Sequence, residues 1–450
     1  MTFIASIQPG WLSRLWRAVD RRLNRSDIRS ICLLVLVIYS IILSISFATQ
    51  RSGRTIFGPQ LGADFGAYYI AGTIFNHVAP DRIYDRNLHH RLYQEHFPSA
   101  PPGEELPYVN APFFILLFPV LARLEYPLAY LVWILISLGL FVSGFTLLWR
   151  TLDDMPEDAY FVALFLAVSF MPFLVECLAG GQTSAFGFFS LAMAISCERR
   201  DRPITGGAAL SLCLYKPTLL LLILPMLVIT RRISTIAGFV IGGSLLAATS
   251  LLVVGWQGCL EYIRMLLFFT DASTSAVSGL KSWKYVDVNS FFRLLLNHHI
   301  YLRWVFVATA FLMILPLLFS FWLRACRESK NDQSLVWAGV LTWTMILNVY
   351  LGIYDTTLAV LSVLLITHVF YGRTKRFQFE LTAIYKLIIL LLYLVPWATQ
   401  PIARLTGVQL YTIILVLFGI YQLSRFKMMG ESSAVAREHA PISSAVAGID

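Results

Sequence analysis

The sequence predicts an all-α protein that crosses a membrane many times, and three observations carry that expectation. Hydrophobic residues fill 57% of the 450 positions and charged residues only 14%. The mean hydropathy of +0.69 means more apolar surface than an interior of this size can hide from water. The apolar residues also fall in runs long enough to span as helices, separated by polar stretches. The formal charge of +9 reads as topology rather than nucleic-acid affinity. Lys and Arg collect in short cytoplasmic loops, and no basic patch is interleaved with exposed aromatics. The cysteines show neither CxxC nor Cys/His ligand spacing, so neither a disulfide framework nor a metal site is indicated.

Taken in order, residues 1–30 carry Arg14, Arg17, Arg21, Arg22, Arg25 and Arg29 against two acids and are expected in the cytoplasm. Residues 31–48 are long enough to span and lack a small-residue cleavage site, so they read as a retained first helix. Residues 49–111 hold too many charges and prolines for lipid. They are expected to form a first outer loop far longer than a connector needs, and such loops carry function. Apolar segments follow at 112–124, 127–149, 160–178, 184–197, 204–230 (interrupted at Lys216-Pro217) and 233–254. A second outer loop at 255–290 precedes segments near 301–323, 335–351, 357–371, 381–397 and 411–423. Residues 31–427 thus form one transmembrane domain, and the small, polar tail at 428–450 is expected to be disordered.

Basic clusters at Arg231-Arg232, 324–330, 372–376 and 425–427 should face the cytoplasm. Counting every segment as a crossing gives about twelve spans and leaves one cluster, 198–202, on the wrong side. Making 112–124 and 204–230 re-entrant gives about ten and brings Arg199 and Arg200 inside. Both counts place the two polar intervals on the outer face of the inner, cytoplasmic membrane. No internal repeat of the kind that marks secondary transporters is visible.

Two ionisable residues stand out. Asp64, in Gly62-Ala63-Asp64-Phe65-Gly66-Ala67-Tyr68-Tyr69, follows a span at the water boundary, where its pKa can be tuned for a general base. Alternatively it caps an amphipathic helix suggested by Phe65, Tyr68, Tyr69 and Phe75. Lys216 lies inside an apolar segment, where an unpaired ammonium costs about a few kcal/mol. It supports an anion, pairs with Glu176, or snorkels to the interface.

A wider set of residues resembles glycosyltransferase family 87. It comprises Asp64-Phe65 with Tyr68-Tyr69-Ile70-Ala71-Gly72, Tyr84-Asp85, and Tyr108-Val109-Asn110-Ala111-Pro112-Phe113-Phe114 before a run ending in Pro119. It continues through Ala129-Tyr130-Leu131-Val132-Trp133, Gly181-Gln182, Gly206-Gly207 leading to Lys216-Pro217, Arg231-Arg232 and Tyr354-Asp355. The likeness runs from Gly62 to about Leu365. One departure is Asn110-Ala111-Pro112, where the family usually shows Tyr-Pro-Pro.

That family groups polyprenyl-phosphate-mannose-dependent mannosyltransferases of the GT-C membrane fold. The resemblance implies transfer of a hexose, mannose first, from a polyprenyl-phosphate donor to a hydroxyl of a glycolipid, glycan or protein. It implies inversion, no metal or other cofactor, and Asp64 as general base. The departing phosphate needs cationic support, for which Lys216, Arg82, Lys281, Lys284 and Arg293 are candidates. Arg82 and Arg86 would share an anion face if their stretch is helical. Tyr68, Tyr69, Tyr108, Asn110, Gln182, Tyr354 and Asp355 are candidate substrate contacts, although interfacial aromatics also serve as simple anchors. A transporter or flippase, or an envelope-polysaccharide assembly factor, would share the membrane pattern. The first should show repeats, and the second would not need Asp64.

Overall fold

The computed structural model describes residues 25–51, 53–57, 60–99, 107–153, 155–274, 281–296, 299–325, 330–374 and 383–438. Among them there is no sheet, only isolated bridges. In chain order the helices are α1 (Arg25–Thr49), α2 (Phe65–His77), α3 (Arg86–His96), α4 (Tyr126–Trp149), α5 (Ala159–Val168), α6 (Ser184–Arg199), α7 (Pro203–Ser211) and α8 (Ile223–Ile229). Then follow α9 (Ile233–Thr274), α10 (Val288–Leu296), α11 (Ile300–Ala325), α12 (Lys330–Ile346), α13 (Leu358–Thr374), α14 (Ala383–Leu394), α15 (Pro396–Thr406) and α16 (Leu410–Glu438). The basic N-terminus up to residue 24, residues 326–329 and 375–376 of two basic clusters, and the tail from 439 lie outside the described residues. The helix reaching Glu438 departs from the expectation of disorder from residue 428.

Among the described residues, five helical stretches are long and apolar enough to cross a bilayer, Ser26–Thr49, Tyr126–Trp149, Ile233–Leu267, Ile300–Arg324 and Ile353–Tyr371. Two bent pairs, Ala159–Val168 with Pro172–Ala179 and Ile384–Leu394 with Pro396–Thr406, raise the number to as many as seven if each pair is one span. The sequence count of twelve treated each apolar run as one crossing. Prolines at 112, 172, 203, 217 and 396 instead start new, shorter helices, because proline lacks the N–H that would continue the previous one. Leu245, Leu252 and Leu312 on α9 and α11 stand exposed, an apolar exterior suited to hydrocarbon.

The twelve-crossing arrangement is corrected by one contact. The Glu198 carboxylate accepts from Arg232, from the Thr235 hydroxyl (2.6 Å) and from the Trp337 indole N–H (2.8 Å). Residues 198–202 and 231–232 therefore lie at the same end of the bundle, and the chain between them must turn back on itself. It does so at Lys216, as the re-entrant alternative expects.

Tight helix contact holds this reversal. α7 and the start of α9 run side by side so closely that a Cβ on Gly207 would lie 1.9 Å from the Thr235 carbonyl oxygen. A Cβ on Gly139, on an exposed face of α4, would meet nothing within 4 Å. We therefore expect opposite outcomes from the same substitution. Gly207→Ala should sharply reduce monodisperse protein after detergent extraction, while Gly139→Ala should be neutral or stabilising by about 0.5–1 kcal/mol. Size-exclusion profiles and thermal unfolding of the two variants check this.

Candidate functional site

Asp64 sits where α2 begins, and the local chain explains why it stays there. Gly62 has a φ of +58°, and a Cβ at that position would lie 2.5 Å from the Tyr130 ring, so only glycine makes this turn. Tyr126, Tyr130 and Trp133 share one face of α4, at spacings of four and three. The Tyr126 hydroxyl donates to the carbonyls of Leu61 (2.6 Å) and Gly62 (3.1 Å). Tyr130 donates to those of Leu178 (2.6 Å) and Ala179 (2.8 Å), and the Trp133 indole to that of Gly181 (3.2 Å). One helix face thus clamps the turn before Asp64 against the π-helical turn Pro172–Ala179. The Asp64 N–H closes the join on the Gly180 carbonyl (2.9 Å).

Asp64 occupies the N-cap position of α2, yet its side chain makes no capping hydrogen bond. The carboxylate turns instead to Gln182, whose amide donates to it, and it is partly exposed. Nor is α2 the amphipathic surface helix suggested by the sequence. Every residue from Phe65 to Ile74 is buried, with Phe65 packed on the rings of Tyr126, Tyr130 and Trp133.

Lys216 forms the second part. Proline at 217 disfavours helical dihedrals at the preceding residue, and Lys216 is extended (φ −142°, ψ 83°) between two short 3-10 turns. Its ammonium donates to Asp355 and lies 4.5 Å from the centre of the Tyr354 ring. The pairing with Glu176 is overturned, since the Glu176 carboxylate accepts from Gln400 (2.6 Å). The Asp355 side chain is 2% exposed and that of Lys216 20%, so the cation keeps an accessible edge.

The second polar interval completes the group. Fully buried Asp287 accepts from the Ser290 N–H (2.9 Å) and hydroxyl (2.8 Å) and from the Leu351 N–H (2.9 Å). These bonds, together with Val286 N–H on the Leu351 carbonyl (3.0 Å), tie residues 282–290 to the stretch that carries Tyr354 and Asp355. Burial raises the Asp287 carboxyl to about 6 against those three bonds. Burial also raises the Asp64 carboxyl above its ordinary value. Lys284, the Gln182 hydrogen bond, Lys216 and Lys281 pull it part of the way back, Lys284 most of all. A carboxylate with room to take a proton thus faces three lysines and the rings of Tyr68, Tyr285 and Tyr354, whose hydroxyls also feel its charge. Such a set can deprotonate a hydroxyl while cations steady an anionic leaving group. Among the described residues, no three His, Cys, Asp or Glu side chains gather as a metal site.

The sequence matches Glycosyltransferase family 87 over residues 108–349, just over half of the chain. The chain belongs to glycosyltransferase family 87. It is a membrane glycosyltransferase, and the all-helical architecture agrees with the GT-C fold of that family. The match takes in Gln182, Lys216, Lys281 and Lys284 and begins after Asp64. No curated protein and no solved structure matches the chain.

Not every candidate residue of the glycosyltransferase lies in this group. Tyr68 does, its hydroxyl feeling the charge of Asp64 and its ring stacked on Phe118. Tyr69 turns away, with its hydroxyl on the Leu124 carbonyl (2.9 Å) and its ring edge-on to Tyr126. Tyr108 is buried behind Tyr68, ring to ring at 6.2 Å. Buried Asn110 donates to the Tyr215 carbonyl (3.4 Å), and its side-chain oxygen has no hydrogen-bond partner. Arg293 donates to the Tyr350 hydroxyl (2.8 Å). Arg82 ends a 3-10 turn and pairs with Asp85, so it shares no helical face with Arg86. Sequence reasoning missed Tyr285 and the clamping role of the α4 face. The signals for the clamp were the one-face spacing of Tyr126, Tyr130 and Trp133 and the place of Tyr130 and Trp133 in the family resemblance.

Two tests separate roles at this site. Lys216→Met should lower the amount of folded protein, because an uncompensated buried carboxylate costs about 3–5 kcal/mol. Lys216→Met with Asp355→Leu should restore abundance in the membrane without restoring transfer, and full recovery of transfer by the double variant would make the pair purely structural. The second test concerns pH. A base with a raised pKa is charged only above that value, so transfer should fall on acidification through a midpoint above the usual carboxylate range. Lys284→Gln removes the largest opposing charge and should move that midpoint to higher pH, as read from kcat/KM profiles.

Proposed function

We propose that this glycosyltransferase moves a hexose, mannose in the first instance, from a polyprenyl-phosphate carrier to an acceptor hydroxyl at the outer face of the inner membrane. Asp64 is the general base. The acceptor oxygen attacks the anomeric carbon from the side opposite the phosphate, the bond from that carbon to the phosphate oxygen breaks, and the configuration inverts. The acceptor proton passes to the Asp64 carboxylate, and the bonding pair leaves with the lipid phosphate. Lys216, with Lys281 and Lys284, steadies the charge developing there. Tyr68, Gln182, Tyr354 and Asp355 frame the sugar.

The observation that carries this reading is the freedom of the Asp64 side chain. It sits at a helix start without capping it, is oriented by Gln182, and lies within the field of three lysines. The lysines also suit an anionic leaving group better than a neutral one.

Asp64→Asn preserves shape and removes the proton acceptor, and no capping bond is lost with it. We expect normal membrane abundance and a rate lower by about a hundred- to ten-thousandfold, measured as release of label from a panel of radiolabelled polyprenyl-phosphate sugars. A rate within a few-fold of the parent would move the base elsewhere.

A further inference from the structure

One acid close to Asp64 takes no part in the transfer described above. Glu176 lies on the π-helical turn Pro172–Ala179, and such turns recur at functional sites. Tyr130 clamps the end of this turn, and Gly180 just after it accepts from the Asp64 N–H. The Glu176 carboxylate accepts from the Gln400 amide of α15 (2.6 Å). α15 reaches it because the chain bends by 67° between Ile384–Leu394 and Pro396–Thr406. Trp397, at the start of α15, is seated against Tyr39 of α1 with ring centres 5.5 Å apart.

The residue before Gln400 ties the same helix to the second polar interval. The Thr399 hydroxyl donates to Gln409, and the Gln409 amide donates to the carbonyls of Trp283 (2.8 Å) and Tyr285 (3.3 Å). Those two carbonyls flank Lys284. Thr399 and Gln409 are both fully buried, so a satisfied and rigid network sets the backbone on either side of this lysine. Adjacent residues of one short helix thus hold the acid and the turn that carries the lysine.

Lys284 stands between two acids. Its charge is the largest of those acting on Glu176 and also of those acting on Asp64, and Glu176 feels the charge of Asp64 in turn. The other groups that face the pair are Tyr39 of α1 at Glu176, and Lys216 and Lys281 at Asp64. Neither carboxylate closes an ion pair on Lys284, whose ammonium lies 5.6 Å from the centre of the Trp283 ring. Lys216, by contrast, has closed on Asp355. A second acid behind a lysine offsets the pull of the first. We propose that Glu176 is a positioning residue for the transfer: with α15 it holds Lys284 between two carboxylates, so that this lysine stays available to the leaving phosphate instead of closing on Asp64. The proposal rests on the reading of Asp64 as the base and adds the group that keeps its strongest cationic neighbour at a distance.

The test is a double-mutant cycle on the full-length protein in lipid nanodiscs, with Glu176→Gln, Lys284→Gln and the two combined. Each variant is followed by thermal unfolding and by the pH profile of kcat/KM with the radiolabelled polyprenyl-phosphate sugar that the parent uses. Glu176→Gln keeps the size and still accepts from Gln400, so the charge alone is lost. Lys284 should then close on Asp64 and favour its charged form, moving the acidic midpoint of kcat/KM down by about one unit. In the Lys284→Gln background the same substitution should move that midpoint by less than half as much. An unmoved or higher midpoint, or a shift at least half as large without the lysine, would overturn the proposal.

The unfolding temperatures put the question without transfer. The double variant should lose less than the two single variants combined, and additive losses would also overturn the proposal. If Glu176→Gln yields no folded protein, the double variant should recover it, because no charge is then left uncompensated. Failure of both ends the proposal. A near-parental rate for Asp64→Asn removes the base instead, and the coupling in unfolding temperature then decides the placement of Lys284 by itself.

Discussion

The ion pair between Lys216 and Asp355 is the constraint on which this architecture depends. An ammonium at the tip of a chain reversal amid apolar helices is stable only with a counter-charge close by. Asp355 supplies it from the far half of the chain. Because the pair is short-ranged, it fixes the tip of the reversal against the start of α13. The bonds of Asp287 to the neighbouring backbone then bring in the second polar interval with Lys281 and Lys284. The first interval arrives independently, held by the tyrosines and tryptophan of α4. Asp64 stands where the two assemblies meet.

Seen as electrostatics, the site separates two tasks that compete when charges are close. Lys216 is paired with Asp355, while Lys281 and Lys284 are carried on the second polar interval. Burial keeps the proton affinity of the Asp64 carboxylate raised despite these cationic surroundings, of which Lys284 opposes it most. The buried oxygen of Asn110 and the carbonyl-bound hydroxyls of Tyr126 and Tyr130 belong to the scaffold behind it.

Much of this was legible in the sequence, for identifiable reasons. Composition alone requires a membrane protein, and Lys216-Pro217 marks its own position because a charge before a proline inside an apolar run is doubly unusual. Asp64, Gln182, Lys216 and Asp355 were all singled out, and they come together. The partner of Lys216 was misjudged because Glu176 is the nearer acid in sequence, whereas the reversal of the chain brings Asp355 closer in space. Tyr69 and Tyr108 stand apart from the group around Asp64 because the packing of the first interval turns one toward Leu124 and buries the other behind Tyr68, which their spacing does not show. Hydropathy does not register the direction of the chain after a proline, so the sequence left the twelve- and ten-crossing arrangements both open. The capping alternative for Asp64 is set aside only by the orientation of its side chain.

The separation of Lys216 and Asp355 by 139 residues has a consequence for biogenesis. At ribosomal speeds of roughly 5–20 residues per second, the tip of the reversal waits on the order of ten to thirty seconds before its counter-ion has been synthesised. During that interval it carries an uncompensated charge among apolar segments, a state better suited to the lipid–water boundary or a protein-lined cavity of the insertion machinery than to the bilayer interior. The reversal therefore reaches its final depth only after the chain has been made past Asp355, and the chemistry of the site is assembled last.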